Sequence, residues 1–509
     1  MLRPALALLL GLSLVACFPD PPGDDEDDTL DASLGDAIGD ATDTRADTAA
    51  DTTAPLDVDP NAPPQILAYE PLPNESAVPV TDRVEIVFDH PMAVPTGDEV
   101  VAWSAAAGRI AGTFSDEAPT RIIFEPDLAF VAGDRVDVAV RKIVASTAGE
   151  FLEAPVAYHF WTAVKPGQGK LVAGPSVAFT PGTRVLTGLI DGDRFPDVIT
   201  TGVPSFGVDL LLAKAGALAE PVAVGAGRAL DAVLADLDND GDLDLAVATE
   251  GNVQIVLGNG DGTFAAARSA PATSVTLIAS GDLDADGDLD LVAVESETAV
   301  VLLNQGDGTF SRGATTPAGP AASGMVVADL NADGRLDIAI VSNECCSGGG
   351  SLHVALAKGE GGAPAFTDAS YTIGQGAMAL VVGDFDLDEA LDLAVANAAD
   401  SNVGVLLNRG NGAFDPQEVY GAGTAISGLA AGDLDGDGQL DLVGGSVNDV
   451  GIVVLANRGN GVFSSAITVP GTAGARHVAL VDADRDGDLD VVAETGAGVL
   501  LVRNEAASN

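Results

Sequence analysis

Basic residues, aromatic rings and cysteine are all scarce in this sequence. Its 509 residues include 23 Lys and Arg against 76 Asp and Glu, for a net charge of −53. A surface that grips nucleic acid or anionic lipid needs clustered cations to neutralise phosphate, so charge excludes both as direct partners. Aromatics are 4% of the chain, which counts against a surface that recognises sugars by stacking on rings. With three Cys and four His, neither a disulfide framework nor a zinc site of ordinary ligand count can be assembled. What the chain does have is Asp, Gly and small apolar residues, over a length that predicts two or three folded units.

The acidity has two sources. One is the stretch from Phe18 to Pro63, typified by Asp24-Asp25-Glu26-Asp27-Asp28, which has too few apolar residues to fold and reads as a self-repelling tether. The other is a set of carboxylates recurring at fixed spacing in the C-terminal part. Ahead of the tether, Arg3 and the apolar run Ala5 to Leu14 form an export signal too short to span a membrane. Leu14-Val15-Ala16-Cys17 resembles the lipobox of bacterial lipoproteins. That resemblance implies cleavage after residue 16, lipidation of Cys17 and anchoring in a membrane; with Phe18 next, it implies transfer to the outer membrane or cell surface. The remaining cysteines, Cys345 and Cys346, are adjacent. In an oxidising compartment they either close a vicinal disulfide or stay as two buried thiols.

Residues 64–164 change character. Strand-like runs such as Arg83 to Phe88, Arg121 to Phe124 and Arg135 to Val140 alternate with turn signals at sandwich-like intervals. Together with Phe88-Asp89-His90-Pro91-Met92 and the closing Tyr158-His159-Phe160-Trp161-Thr162, they resemble the bacterial Ig-like domain of S-layer and other surface proteins. The resemblance implies a rigid spacer. His90 and His159 have no catalytic partner in the sequence and read as structural.

From 168 to 506 the chain repeats itself. Aligned on their last aspartate, seven Asp-rich loops end at Asp197, Asp244, Asp290, Asp337, Asp392, Asp441 and Asp490, about 46 to 55 residues apart. Each precedes an apolar strand, a second strand and a turn of the Gly-Asn-Gly-Asp-Gly-Thr-Phe kind. Four short strands per repeat make a propeller blade. In Asp433-Leu434-Asp435-Gly436-Asp437-Gly438-Gln439-Leu440-Asp441 the carboxylates stand at positions one, three, five and nine. Alternate placement converges side chains on one point, as calcium with its six to eight oxygens requires. An EF-hand is excluded, since it needs Glu at position twelve and flanking helices.

These units resemble FG-GAP or VCBS repeats, the propeller blades also found in integrin α-chains. The expected fold is therefore all-β: an Ig-like sandwich, then a seven-bladed propeller whose last blade is completed by the N-terminal strand around Gly169 to Ala173. Full ligand sets are expected at Asp236, Asp238, Asp240 and Asp244; at Asp282, Asp284, Asp286 and Asp290; at Asp433, Asp435, Asp437 and Asp441; and at Asp482, Asp484, Asp486 and Asp490. The fourth loop, Asp329, Asn331, Asp333 and Asp337, substitutes an amide oxygen. The fifth, Asp384, Asp386, Asp388 and Asp392, carries Glu389 where a glycine should turn the chain. The first keeps only Asp191, Asp193 and Asp197 and is expected to be weak or empty.

The expected cofactor is structural calcium at several sites. No Ser-centred nucleophile, P-loop or dinucleotide motif is present, so no enzyme is expected. The leading reading is a monomeric adhesion or protein-binding module. In related propellers the ligand, protein or glycan, binds the face opposite the calcium loops. A lectin is the alternative, and a polysaccharide-degrading enzyme ranks below it. The insertion Ser342 to Ser351 is either a contact loop or a tolerated surface insertion.

Overall fold

Alternating apolar residues, frequent turn glycines and the lack of any long 3.6-period stretch leave the chain only strands to form. The computed structural model describes residues 59–505, apart from 98, 116–117, 166–169, 179–183, 203–206, 215–216, 344–348, 360–363, 447 and 449. Cys17, most of the tether, Cys345 and Cys346 lie outside the described residues. Every regular element described is a β-strand, and no helix is long and apolar enough to cross a membrane among those residues.

The first eight strands form a sandwich. They are β1 (Ile66–Glu70), β2 (Val84–Phe88), β3 (Val100–Ser104), β4 (Gly108–Arg109), β5 (Gly112–Ser115), β6 (Arg121–Pro126), β7 (Arg135–Val140) and β8 (Val156–Trp161). One sheet runs β1-β2-β6-β5 and the other β4-β3-β7-β8. Ile86, Phe88, Ile122, Val136, Val138 and Phe160 meet between the sheets, the inward half of a period-2 alternation. His90 is buried there against Asp89, 2.6 Å away, and the Asp59 carbonyl, 2.9 Å away, a structural role as expected.

Seven four-stranded sheets follow. Their first strands, Arg184–Gly188, Ala229–Ala235, Val275–Gly281, Ala322–Ala328, Ala377–Gly383, Ile426–Gly432 and Ala475–Val481, lie side by side, and the first of them touches the last. β9 (Leu171–Ala178) precedes all of them in sequence yet is the fourth strand of the last sheet, paired to Gly498–Asn504. A strand from one end of the chain thus covers the edge left by the other.

Apolar side chains from neighbouring blades fill the gaps between them, as where Leu237, Ile255, Leu291 and Leu302 join blades two and three. Phenylalanines of the repeated turns pack between blades. Phe414 meets Tyr371, and Phe463 meets Phe385 and Tyr420, edge to face.

The sandwich and the propeller belong to one compact unit, and here the structure departs from the spacer implied by resemblance. The outer face of β3, β7 and β8 is buried against the propeller. Val101, Trp103 and Ala139 join the core of blades two and three, Ala157 joins that of blades three and four, and Trp161 packs on blades four and five. Arg135 and the inner strands together line a cavity of about 230 Å3, with Val233, Ile278, Met325 and Val382 on its walls.

Candidate metal centres

Each Asp-rich loop connects the first strand of a blade to the second, so its position-one residue directly follows one strand and its position-nine residue begins the next. Two left-handed residues wind the loop between them. Position six has φ of 93° at Gly241, 94° at Gly287, 78° at Gly334, 85° at Gly438 and 99° at Gly487. Position four is left-handed too, and is occupied by Asn239, Ala285, Ala332, Leu387 and Arg485 at φ between 53° and 62°. Sequence reading missed this second turn, because only Gly192 and Gly436 mark it with the residue that normally signals it.

Glu389 adopts the strained φ inferred from the sequence, 71°, at a cost of about 1 kcal/mol. Glu389→Gly is therefore expected to raise stability by about 1 kcal/mol, read as a higher thermal midpoint; a lowered midpoint would show that this residue is not strained.

The loops gather carboxylates. Asp236, Asp238 and Asp244 bring ligand oxygens within 4.8 Å of one another, as do Asp282, Asp284 and Asp290; Asp384, Asp386 and Asp392; Asp433, Asp435 and Asp437; and Asp482, Asp484 and Asp486. The fifth loop reaches this arrangement despite Glu389. In the first loop, by contrast, Asp191 accepts from the Asp193 amide at 3.1 Å and Asp193 from the Phe195 amide at 2.7 Å. No such cluster forms there among the described residues.

One oxygen each of Asp236, Asp238, Asp284, Asp386, Asp482 and Asp484 is buried with no hydrogen-bond partner, as is the side-chain oxygen of Asn331. Buried acceptors are almost always paired, and orphaned oxygens in loops two to five and seven, two each at the ligand positions of loops two and seven, suit a hard cation that takes oxygen ligands. The donor set, all carboxylate and amide oxygen with no nitrogen or sulfur, therefore fits the group the repeat implies. Burial, with like charge from the neighbouring aspartates, pushes Asp236 up to about 6 and Asp244 up to about 7. Asp337 and Asp392 are pushed up to about 8 by the same causes, with burial the largest.

The ninth aspartate has a further job that spacing did not reveal. In every blade both of its oxygens accept backbone N–H groups, one from position two of its own loop and one from the end of the third strand. Asp244 accepts from Leu237 and Gly258, each at 2.7 Å. Asp392 accepts from Phe385 at 3.0 Å and Asn408 at 2.7 Å, and Asp490 from Ala483 at 3.2 Å and Asn504 at 2.8 Å. Asp197 does the same with Ile190 and Ala213 in the first blade, where no three carboxylates converge. The ninth carboxylate is thus a staple between loop and strand, and only through its remaining lone pairs can it also serve a metal.

A second unforeseen element ties blade to blade. Asn304, Asn408, Asn457 and Asn504 donate to the position-two carbonyls of the preceding loops, Leu237 at 2.8 Å, Leu330 at 2.7 Å, Phe385 at 2.9 Å and Leu434 at 2.6 Å. For Asn304, Asn408 and Asn457 the available signal was an Asn two residues before the Gly-x-Gly turn, absent where Gly258 and Ala357 replace it; no such turn follows Asn504.

Comparison with known proteins agrees with this geometry. A family model for the FG-GAP-like repeat matches residues 236–293, 282–340, 329–395, 384–444 and 442–493, and one for a bacterial Ig-like domain matches 60–162. No curated protein matches. Among solved structures, a lectin of Agrocybe aegerita, solved for its recognition of non-reducing terminal N-acetylglucosamine, is 19% identical over 85% of this chain and 100% of its own, with a TM-score of 0.43. BBS1N in complex with ARL6DN is 14% identical over 67% of this chain and 98% of its own, with a TM-score of 0.48. The repeat matches run unbroken from 236 to 493, half of the 509 residues, so the chain belongs to the FG-GAP-like repeat family, with a bacterial Ig-like domain ahead of the repeats.

Proposed function

We propose that this protein is an exported, lipid-anchored, calcium-loaded propeller that binds a protein partner and catalyses nothing. The observation that carries the metal part is the gathering of carboxylate oxygens in five loops, four of which also hold a buried oxygen without a hydrogen-bond partner. Calcium suits an all-oxygen shell of this kind at millimolar extracellular levels. Asp236, Asp238 and Asp244 would hold one ion, and the corresponding residues of the third, fifth, sixth and seventh loops the others. The fourth loop adds a site through Asn331. The ion supplies charge neutralisation and cross-links strand to loop.

The sandwich occupies the side of the propeller on which the Asp-rich loops lie, which leaves the opposite side for a partner. All four tyrosines and both tryptophans are already committed. Tyr69 and Tyr158 stack in the sandwich, Tyr371 and Tyr420 pack on phenylalanines, and Trp103 and Trp161 lie under the docked face. That favours a protein over a glycan, which would need an accessible ring. Of the propeller histidines, His477 is pushed down to about 4 by burial, and His353 contacts the Ser342 hydroxyl at 3.3 Å.

Calorimetric titration of calcium into the metal-stripped chain should count four to six ions, and metabolic labelling with a radioactive fatty acid should be lost in Cys17→Ser. Absence of calcium binding, or labelling that survives the substitution, would overturn the corresponding half of the reading.

A further inference from the structure

The sandwich touches the propeller at one recurring point, position six of the Asp-rich loops. The Ala157 amide donates to the Gly334 carbonyl at 2.9 Å, and the Lys165 amide to the Gly487 carbonyl at 2.7 Å. The Asn74 side chain donates to the Glu389 carbonyl at 3.1 Å. Gly108 is so close to loop two that a Cβ there would lie 3.2 Å from the Gly241 carbonyl, and Arg141 covers Gly287 in loop three. Five loops therefore meet the sandwich through the same position.

Those residues also face the metal centres. The amide of Gly334 donates to Asp329 at 2.7 Å, that of Glu389 to Asp384 at 2.9 Å, and that of Gly487 to Asp482 at 3.0 Å. Each acceptor is the position-one ligand of its loop, and the other oxygen of Asp482 is among the unpartnered ones. A single residue thus bonds through its N–H to a metal-holding carboxylate and through its C=O to the sandwich. Its left-handed backbone fixes the angle between the two bonds.

We propose that metal binding in the loops and docking of the sandwich are coupled, so that the ions hold the Ig-like domain on the propeller and their loss releases it. The inference rests on the metal reading above. Without an ion, three or four mutually repelling carboxylates no longer hold the loop wound, and the position-six carbonyls lose their direction. The sandwich does bring Arg141 and Lys165 to these acidic loops, an attraction that grows when the metal leaves. Solvent-screened pairs of this kind contribute little, less than the loss of several aligned hydrogen bonds together with the apolar contacts of Val101, Trp103 and Ala157.

The only two tryptophans, Trp103 and Trp161, both stand on the docked face, so intrinsic fluorescence reads docking directly. Chelator added to the calcium-loaded full chain should shift tryptophan emission to the red and make the segment around residues 164–170 sensitive to protease, and calcium should reverse both. Coupling is reciprocal, so Ala157→Asp, which puts a charge into the docked face, should weaken calcium binding by about fivefold or more. If Ala157→Asp fails to fold, Asn74→Ala, which removes only the side-chain bond to the Glu389 carbonyl, should weaken it in the same direction. Calorimetry showing that calcium binds and is stripped while emission and proteolysis stay unchanged would overturn the coupling. If no calcium binds at all, the metal reading itself fails, a separate and distinguishable result.

Discussion

Stripping calcium from the folded chain is expected to lower its thermal midpoint by on the order of 10 °C. At a dissociation constant of about 0.1 mM, each occupied site contributes roughly 1.4 kcal/mol in 1 mM calcium, and five clusters together roughly 7 kcal/mol. In a unit that spans Leu56–Asn509 each kcal/mol moves the midpoint by about 1 °C.

The same experiment has a pH signature. In the metal-free protein the folded-state carboxyls of Asp236, Asp244, Asp337, Asp392, Asp441 and Asp490 are pushed up to between about 6 and about 8, burial being the largest cause. A raised folded pKa favours the protonated fold, so the associated stability is present at low pH and is lost as pH climbs through 6 to 8. Metal-free midpoints should therefore fall between pH 5.5 and pH 8.5. Binding needs ionised ligands and releases protons, so the calcium-induced rise should be larger at pH 8.5 than at pH 5.5. Scanning calorimetry at both values, with and without chelator, decides it, and a metal-free midpoint that rises with pH would contradict the burial of these groups.

Replacing a ninth-position aspartate should cost more than replacing the position-three ligand, and most of that cost should persist when metal is absent. Asp392→Ala orphans two buried amides, those of Phe385 and Asn408, at about 1–3 kcal/mol each, so a loss of about 4 kcal/mol is expected. Asp386→Ala removes a ligand whose buried oxygen has no other partner, and should cost about 1.4 kcal/mol in calcium and almost nothing in chelator. Asp197→Ala is the sharpest comparison. Its loop gathers no cluster, yet its two backbone bonds match those of the other blades, so denaturant unfolding should show the same large loss with and without calcium. A calcium-dependent loss at Asp197 would mean that the first loop binds metal after all.

How much of this could be read from residues alone depended on whether the information was local. Repeats in register gave blade count, loop positions and the ligand letters, because a period of 46 to 55 residues with Asp at odd positions is a property of the chain itself. The edge-covering strand was legible for the same reason: one strand was missing at the end and one was spare at the start. Hidden from this reading were bonds whose partners lie far apart in sequence. The Asn408 side chain reaches Leu330, and Asp392 reaches the Asn408 amide, and no pattern within one repeat announces either.

Docking of the sandwich left a signal that went unused. β3 reads Val100-Val101-Ala102-Trp103-Ser104 and is buried throughout, whereas a sheet with one face in water should alternate apolar with polar. An apolar run on both faces meant that something would cover the outer one. The sequence thus determined the sandwich, the blades and the aspartates of the loops, since each follows from spacing and side-chain chemistry along the chain. Only the tertiary structure decided that the second apolar face of β3 is covered by the propeller and that position six of the loops is the contact, because both depend on which surfaces meet when the ring closes.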